Sequence, residues 1–119
     1  MTTTLSVLHD GPDLGLDVHH VFESGEVFDH PTRSYSAPPG APFSVCIHSR
    51  LALVIQRPGL EWPGLTLVNQ GTLMLEIHEY VLPDGGTGDL VETGFARIAP
   101  GMRYGTPTGD VLIIREGGL

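Results

Sequence analysis

The sequence predicts an all-β fold: a single-domain antiparallel β-sandwich, jelly-roll-like or closed as a small barrel, of about eight short strands. Three observations carry this expectation. Sixteen glycines and ten prolines interrupt the 119 residues so often that the longest stretches free of both are 43–57 and 72–82, which leaves no room for long helices. Within those stretches apolar residues alternate, the pattern of a strand with one buried face. Turn-forming clusters, among them HDGPD, ESGE, NQG and PDGGTG, separate the alternating runs at the spacing that hairpins need.

Thr4 to Leu8 is the first predicted strand, stopped by HDGPD. Leu16 to Glu23 and Glu26 to His30 form a hairpin about Ser24-Gly25. The prolines of SAPPGAP, residues 36–42, keep that segment out of a sheet interior, so it is a connector between sheets or an arm that reaches a neighbour. Phe43 to Arg57 places Val45, Ile47, Leu51, Leu53 and Ile55 on one side of a strand, with HSR as a kink or turn inside it. After RPGLEWPG come Leu65 to Val68 and Thr72 to Leu82. In the latter, Leu73, Leu75, Ile77 and Val81 alternate, while Leu73, Ile77 and Val81 also fit a helical stripe. The flanking NQG and PDGG are turn sequences that decide for a strand. Asp89 to Ile98 and Asp110 to Arg115 complete the set, separated by APGMRYGTPTGD. A chain of this size buries about two-thirds of its unfolded surface without needing a disulfide, so residues 1–119 are expected to make one domain.

Fourteen acidic residues against six basic ones, every one of them arginine, give a net charge of -8. Such a field repels phosphate backbones and anionic bilayers, so neither nucleic acid nor a membrane is the expected partner. No segment reaches the ~18 apolar residues of a bilayer span. MTTTLSVLHD lacks the basic and apolar regions of a secretory signal, and the expected location is the cytoplasm or a virion. The lone Cys46, inside FSVCIHS, is expected to serve as a small buried hydrophobe. Arginine without lysine fits a contact surface, and equally a GC-rich coding sequence.

The densest polar stretch is DVHHVFESGEVFDH, residues 17–30, with three histidines and four carboxylates. A two-residue turn at Ser24-Gly25 pairs Glu23 with Glu26, Val21 with Phe28 and His19 with His30 on one side, and His20 with Asp29 on the other. His19 and His30 would then be placed to share a metal, with a further ligand from His48 or His78, since catalytic zinc takes three protein ligands. The glutamate pair sits about 13 Å further along and cannot join them. The plainer expectation is a polar hairpin with no metal and no cofactor. Glu23 opposite Glu26 invites a cation from a neighbouring subunit. With Trp62 and Arg103, these two glutamates are the candidate interface residues.

Two other sets alternate onto single strand faces. Glu76, His78 and Tyr80 would line the interior of a barrel mouth and do acid/base work there, because imidazole titrates near neutrality. Cys46, His48 and Arg50 would form a nucleophile and its base only if the thiol were activated, and the apolar context opposes that. DGGTGD opens no helix, so it reads as a hairpin loop and not as a phosphate loop.

Residues 94–107, GFARIAPGMRYGTP, resemble the second motif of the cupins, with Gly94 and Pro100 matching. The turn glycine, Gly101, falls one place early, and no histidine follows His78. The resemblance implies a jelly-roll shape without the cupin metal.

These readings converge on a structural or assembly subunit acting through contacts with other protein subunits, in a homo-oligomer or a larger assembly. A capsid-decorating or minor capsid protein would fit the acidic charge. The alternative expectation is a small-molecule-binding, cupin-like protein or a small cyclase or isomerase, with His78, Glu76 and Tyr80 lining its interior.

Overall fold

The computed structural model describes residues 2–24, 26–48, 50–59, 61–82, 90–105 and 107–117. Among these residues there are ten strands and no helix: β1 (Thr2–Leu8), β2 (Leu14–Val21), β3 (Val27–Ala37), β4 (Phe43–His48), β5 (Leu51–Gln56), β6 (Thr66–Asn69), β7 (Leu75–Val81), β8 (Val91–Ile98), β9 (Arg103–Gly105) and β10 (Val111–Glu116). None of the described residues forms a helix long and apolar enough to cross a membrane.

The strands make two antiparallel sheets, one of four strands in the order β4-β1-β6-β9 and one of six in the order β3-β2-β5-β10-β7-β8. Three pairings are nested, β5 with β10, β6 with β9 and β7 with β8. From β5 the chain alternates between sheets and then returns alongside itself, which is the winding of a jelly roll. Leu5, Val7 and Leu67 of the smaller sheet pack with Leu16, Leu53, Ile55, Ile77, Leu112 and Ile114 of the larger one in a single core.

Two features raise the strand number above the expected eight or so. The run Phe43 to Arg57 is two strands, β4 and β5, that lie in different sheets, and the chain crosses between them inside HSR. A short β9 lies within APGMRYGTPTGD, which reads as all turn in the sequence. The chain reaches it through Ala99-Pro100-Gly101-Met102, where the Met102 amide donates to the Ala99 carbonyl (2.9 Å) and Gly101 has φ +84°. Proline second and a positive-φ glycine third is the signature of a type II turn.

Residues 38–42 carry the chain from β3 in one sheet to β4 in the other, and they are pinned to the domain. The Gly40 amide donates to the His9 carbonyl (2.9 Å), and His9 Nε2 donates to the Ala37 carbonyl (2.7 Å). Buried Asn69 ties the two sheets together: its amide group donates to the carbonyls of Leu73 (2.7 Å) and Ile98 (2.9 Å), and its oxygen accepts from the Gly71 amide (3.0 Å).

Two sequence expectations are corrected. Val45 and Ile47 take the inward phase of β4, so Cys46 points out and is exposed. In the first hairpin Val21 pairs with Val27 and His19 with Pro31, with register shifts on both sides of His19. Proline cannot donate to the ladder, and the strand bulges around it. His19 therefore does not face His30, nor Val21 Phe28. The hairpin closes instead with the Phe22 amide donating to the Glu26 carbonyl (2.8 Å).

Core packing of this kind predicts that Leu53→Ala and Ile77→Ala each lower stability by about 2–5 kcal/mol, read as the urea midpoint at constant m-value. Cys46→Ala at an exposed site should stay within about 0.5 kcal/mol of the parent.

Candidate functional site

An antiparallel sheet that faces water usually alternates apolar-in and polar-out. The two central strands of the larger sheet do not. β5 reads LALVIQ and β10 reads VLIIRE. Leu53, Ile55, Leu112 and Ile114 join the core, while Ala52, Val54, Val111 and Ile113 occupy the opposite phase, the first three buried and Ile113 half-buried. Over them runs a groove of about 500 Å³ floored by Val54, Val111 and Ile113. Val27 and Phe28 of β3 wall it on one side and Leu82 and Leu90, flanking β7 and β8, on the other. The ion pair between Arg57 and Asp110, 2.6 Å, also lines it.

His19 lies in this groove, nearly buried, with Nδ1 2.7 Å from the Phe28 carbonyl. A carbonyl only accepts, so Nδ1 carries the proton and Nε2 is left as an acceptor in the neutral ring. The contact holds the bulged end of the hairpin against the sheet.

The outer face continues onto β7 and β8. Register aligns Ile113, His78 and Phe95 in one row and Arg115, Glu76 and Arg97 in the next. His78, Glu76 and Tyr80, expected in the interior, are therefore on the outside, because Leu75, Ile77 and Glu79 hold the inward phase of β7. The structure does bring the first two together. His78 Nε2 is 3.4 Å from Glu76 Oε1, and its Nδ1 is 2.5 Å from Oε1 of Glu92. Phe95 sets its ring edge-on to His78 at 4.9 Å, and Tyr80 stacks at 6.5 Å. Arg97 Nε lies 3.5 Å from Glu76 and its guanidinium sits over Phe95. Burial, with Glu92 nearby, pushes the Tyr80 phenol up. Both imidazole nitrogens face carboxylates, so the ring bridges β7 and β8. Glu92 escapes a reading of the sequence, because only the hairpin register brings it to His78.

The buried member of β7 is Glu79. Its carboxylate accepts from the Tyr104 hydroxyl and from the amides of Thr108 (2.7 Å) and Gly109 (2.9 Å). Burial pushes this carboxyl up, but the three hydrogen bonds prevail and hold it below the ordinary carboxylate range. Burial and the adjacent Glu79 push the Tyr104 phenol strongly up. The signal for Glu79 was present in the sequence, since it continues the period of Leu75 and Ile77. Trp62 completes this end of the sandwich: it packs on the core, and its Nε1 donates to the Gly109 carbonyl (2.7 Å). Trp62, a candidate interface residue, is half-buried.

The remaining candidates are dispersed. Glu23 lies 3.8 Å from Arg50 of the same chain, with both side chains largely exposed. Glu26 is exposed, with its amide 3.5 Å from Ser24 Oγ. His30 is exposed and 3.9 Å from Asp29. Arg103 is exposed on β9 opposite Val68. His48 Nδ1 accepts from the Arg50 amide (3.2 Å), and Cys46 Sγ lies 4.0 Å from Thr4 Oγ1. Among the described residues no group of three or more His, Cys, Asp or Glu is placed to hold a metal ion. No family model, no curated protein and no solved structure matches the chain.

Because Glu79 has a lower pKa folded than unfolded, the stability it confers is present above the ordinary carboxylate range and is lost as pH falls through its folded value. Urea titrations at neutral and acid pH should therefore show a shallower acid loss for Glu79→Gln than for the parent. Equal acid slopes would remove the assignment.

Proposed function

We propose that this protein is a structural subunit that works by packing the outer face of its six-stranded sheet against a second copy of itself. The observation that carries this reading is the double apolar character of β5 and β10, whose second face is buried at Ala52, Val54 and Val111, half-buried at Ile113, and continues into exposed apolar groups on both sides. Phe95, Leu82, Leu90 and Phe28 extend the apolar surface toward both edges of the sheet and are all exposed. The polar groups of the face, Glu76, His78, Glu92 and Arg97, are already paired with one another, so covering them leaves few bare charges. Self-packing also suits the mixed charge of these rows, since an isologous contact presents the same patch from both sides. A wholly acidic face would repel its copy.

A second reading is favoured by the groove itself, whose ~500 Å³ falls within the size of small-molecule sites. In that case the protein is a carrier of a small apolar ligand, held above Ile113 and beside His19.

Light scattering across a concentration series distinguishes the two. Self-association should be seen, should strengthen with salt because each copy carries a net charge of -8, and should weaken by about tenfold or more in Phe95→Asp. A strict monomer at high concentration whose groove binds 1-anilinonaphthalene-8-sulfonate, with binding lost in Ile113→Trp, would replace the first reading by the second.

A further inference from the structure

A second surface lies at the free edge of the smaller sheet and does not depend on the function proposed above. Among the described residues β4 pairs with β1 alone, in an unbroken register from Phe43–Val7 to His48–Thr2. Its other edge carries main-chain N–H and C=O groups that point away from the sheet. Natural edge strands are guarded by prolines, bulges, charges or shortness, and the other three edges of this protein follow that rule. β3 contains Pro31, Asp29 and two register shifts; β8 has a register shift with Glu92 and Arg97; β9 is three residues long. β4, FSVCIH, has no proline, no carboxylate, no arginine and no bulge.

A groove of about 600 Å³ runs beside this edge. Ser44, Cys46 and His48 of β4 form one wall; His20 of β2 and Arg33 and Tyr35 of β3 form the other, where the larger sheet extends past the smaller. In a chain with fourteen acidic residues, no carboxylate among the described residues lines this groove. It is lined by one arginine and two histidines. Arg33 is exposed and lines the groove together with Tyr35, with no carboxylate ion pair among the described residues.

We propose that the β4 groove receives an extended peptide bearing acidic side chains, which adds a strand to β4 while one of its carboxylates pairs with Arg33. Main-chain hydrogen bonds supply affinity in this mode of recognition and the flanking side chains supply preference. The six residues of β4 span about 20 Å, enough to pair with a strand of about the same length. An arginine facing a carboxylate at the groove wall selects acidic over basic segments.

Fluorescence anisotropy with two labelled peptides tests this, one alternating glutamate and valine, the other alternating lysine and valine. The acidic peptide should bind saturably and about tenfold or more tightly than the basic one. Arg33→Glu, an exposed change whose folding is checked by circular dichroism and urea titration, should erase that preference. The acidic peptide with alternate backbone amides methylated should not bind, since it keeps the charge and loses the strand donors. Equal binding of both peptides, retained preference in Arg33→Glu, or undiminished binding of the methylated peptide would overturn the proposal. So would peptide-free dimerisation that Arg33→Glu abolishes, which would assign the groove to a second copy. Phe95→Asp leaves this edge untouched, so failure of the proposed self-packing and failure of peptide capture are read separately.

Discussion

A sheet of four strands cannot cover a sheet of six, and the arrangement of the molecule follows from that mismatch. Where the layers overlap, Leu, Ile and Val from both sheets interdigitate and water is excluded. At one edge the larger sheet runs past β4 and leaves the groove lined by Arg33, His20 and His48. Toward the other edge β9 is short, and Tyr104 reaches from it to Glu79 on β7. Among the described residues, packing and that buried carboxylate fill the space where the sheets overlap.

Strand β7 shows how strictly the pleat divides these roles. Leu75, Ile77 and Glu79 point in; Glu76, His78 and Tyr80 point out. A buried carboxylate is tolerated when its oxygens are satisfied, and Glu79 has a hydroxyl and two backbone amides. Those donors fix residues 108 and 109, and Trp62 locks onto Gly109. One charged side chain therefore links β7, β9 and the loop that leads to β10. On the outward side of the same strand, His78 is held between Glu76 and Glu92 and stiffens the β7–β8 pair. The strand thus carries one polar tie on each face.

The two surfaces proposed for recognition differ in their physics. The outer face of the larger sheet is broad and apolar, with its charges paired, and suits an interface that excludes water. The β4 edge is narrow, pairs with no second strand among the described residues, and has Arg33, His20 and His48 beside it in an acidic protein. The first would favour contact by shape and area, the second by direction and charge.

The class of fold was legible in the order of residues alone. Glycine and proline spacing ruled out long helices, and period-two alternation identified most strands to within a few residues, because both are local properties of the backbone. The sequence also held, unread, the inward position of Glu79 and the double apolar faces of LALVI and VLII. Tertiary structure decided what local pattern does not encode. HSR separates strands of two different sheets; Pro31 shifts the hairpin so that His19 meets a carbonyl in place of His30; Glu92 reaches His78 only through β7–β8 register. The physical reason is common to these cases: alternation tells a side chain which face it occupies, whereas the neighbour it meets there depends on strand order and register, which are set by packing between residues far apart in the chain.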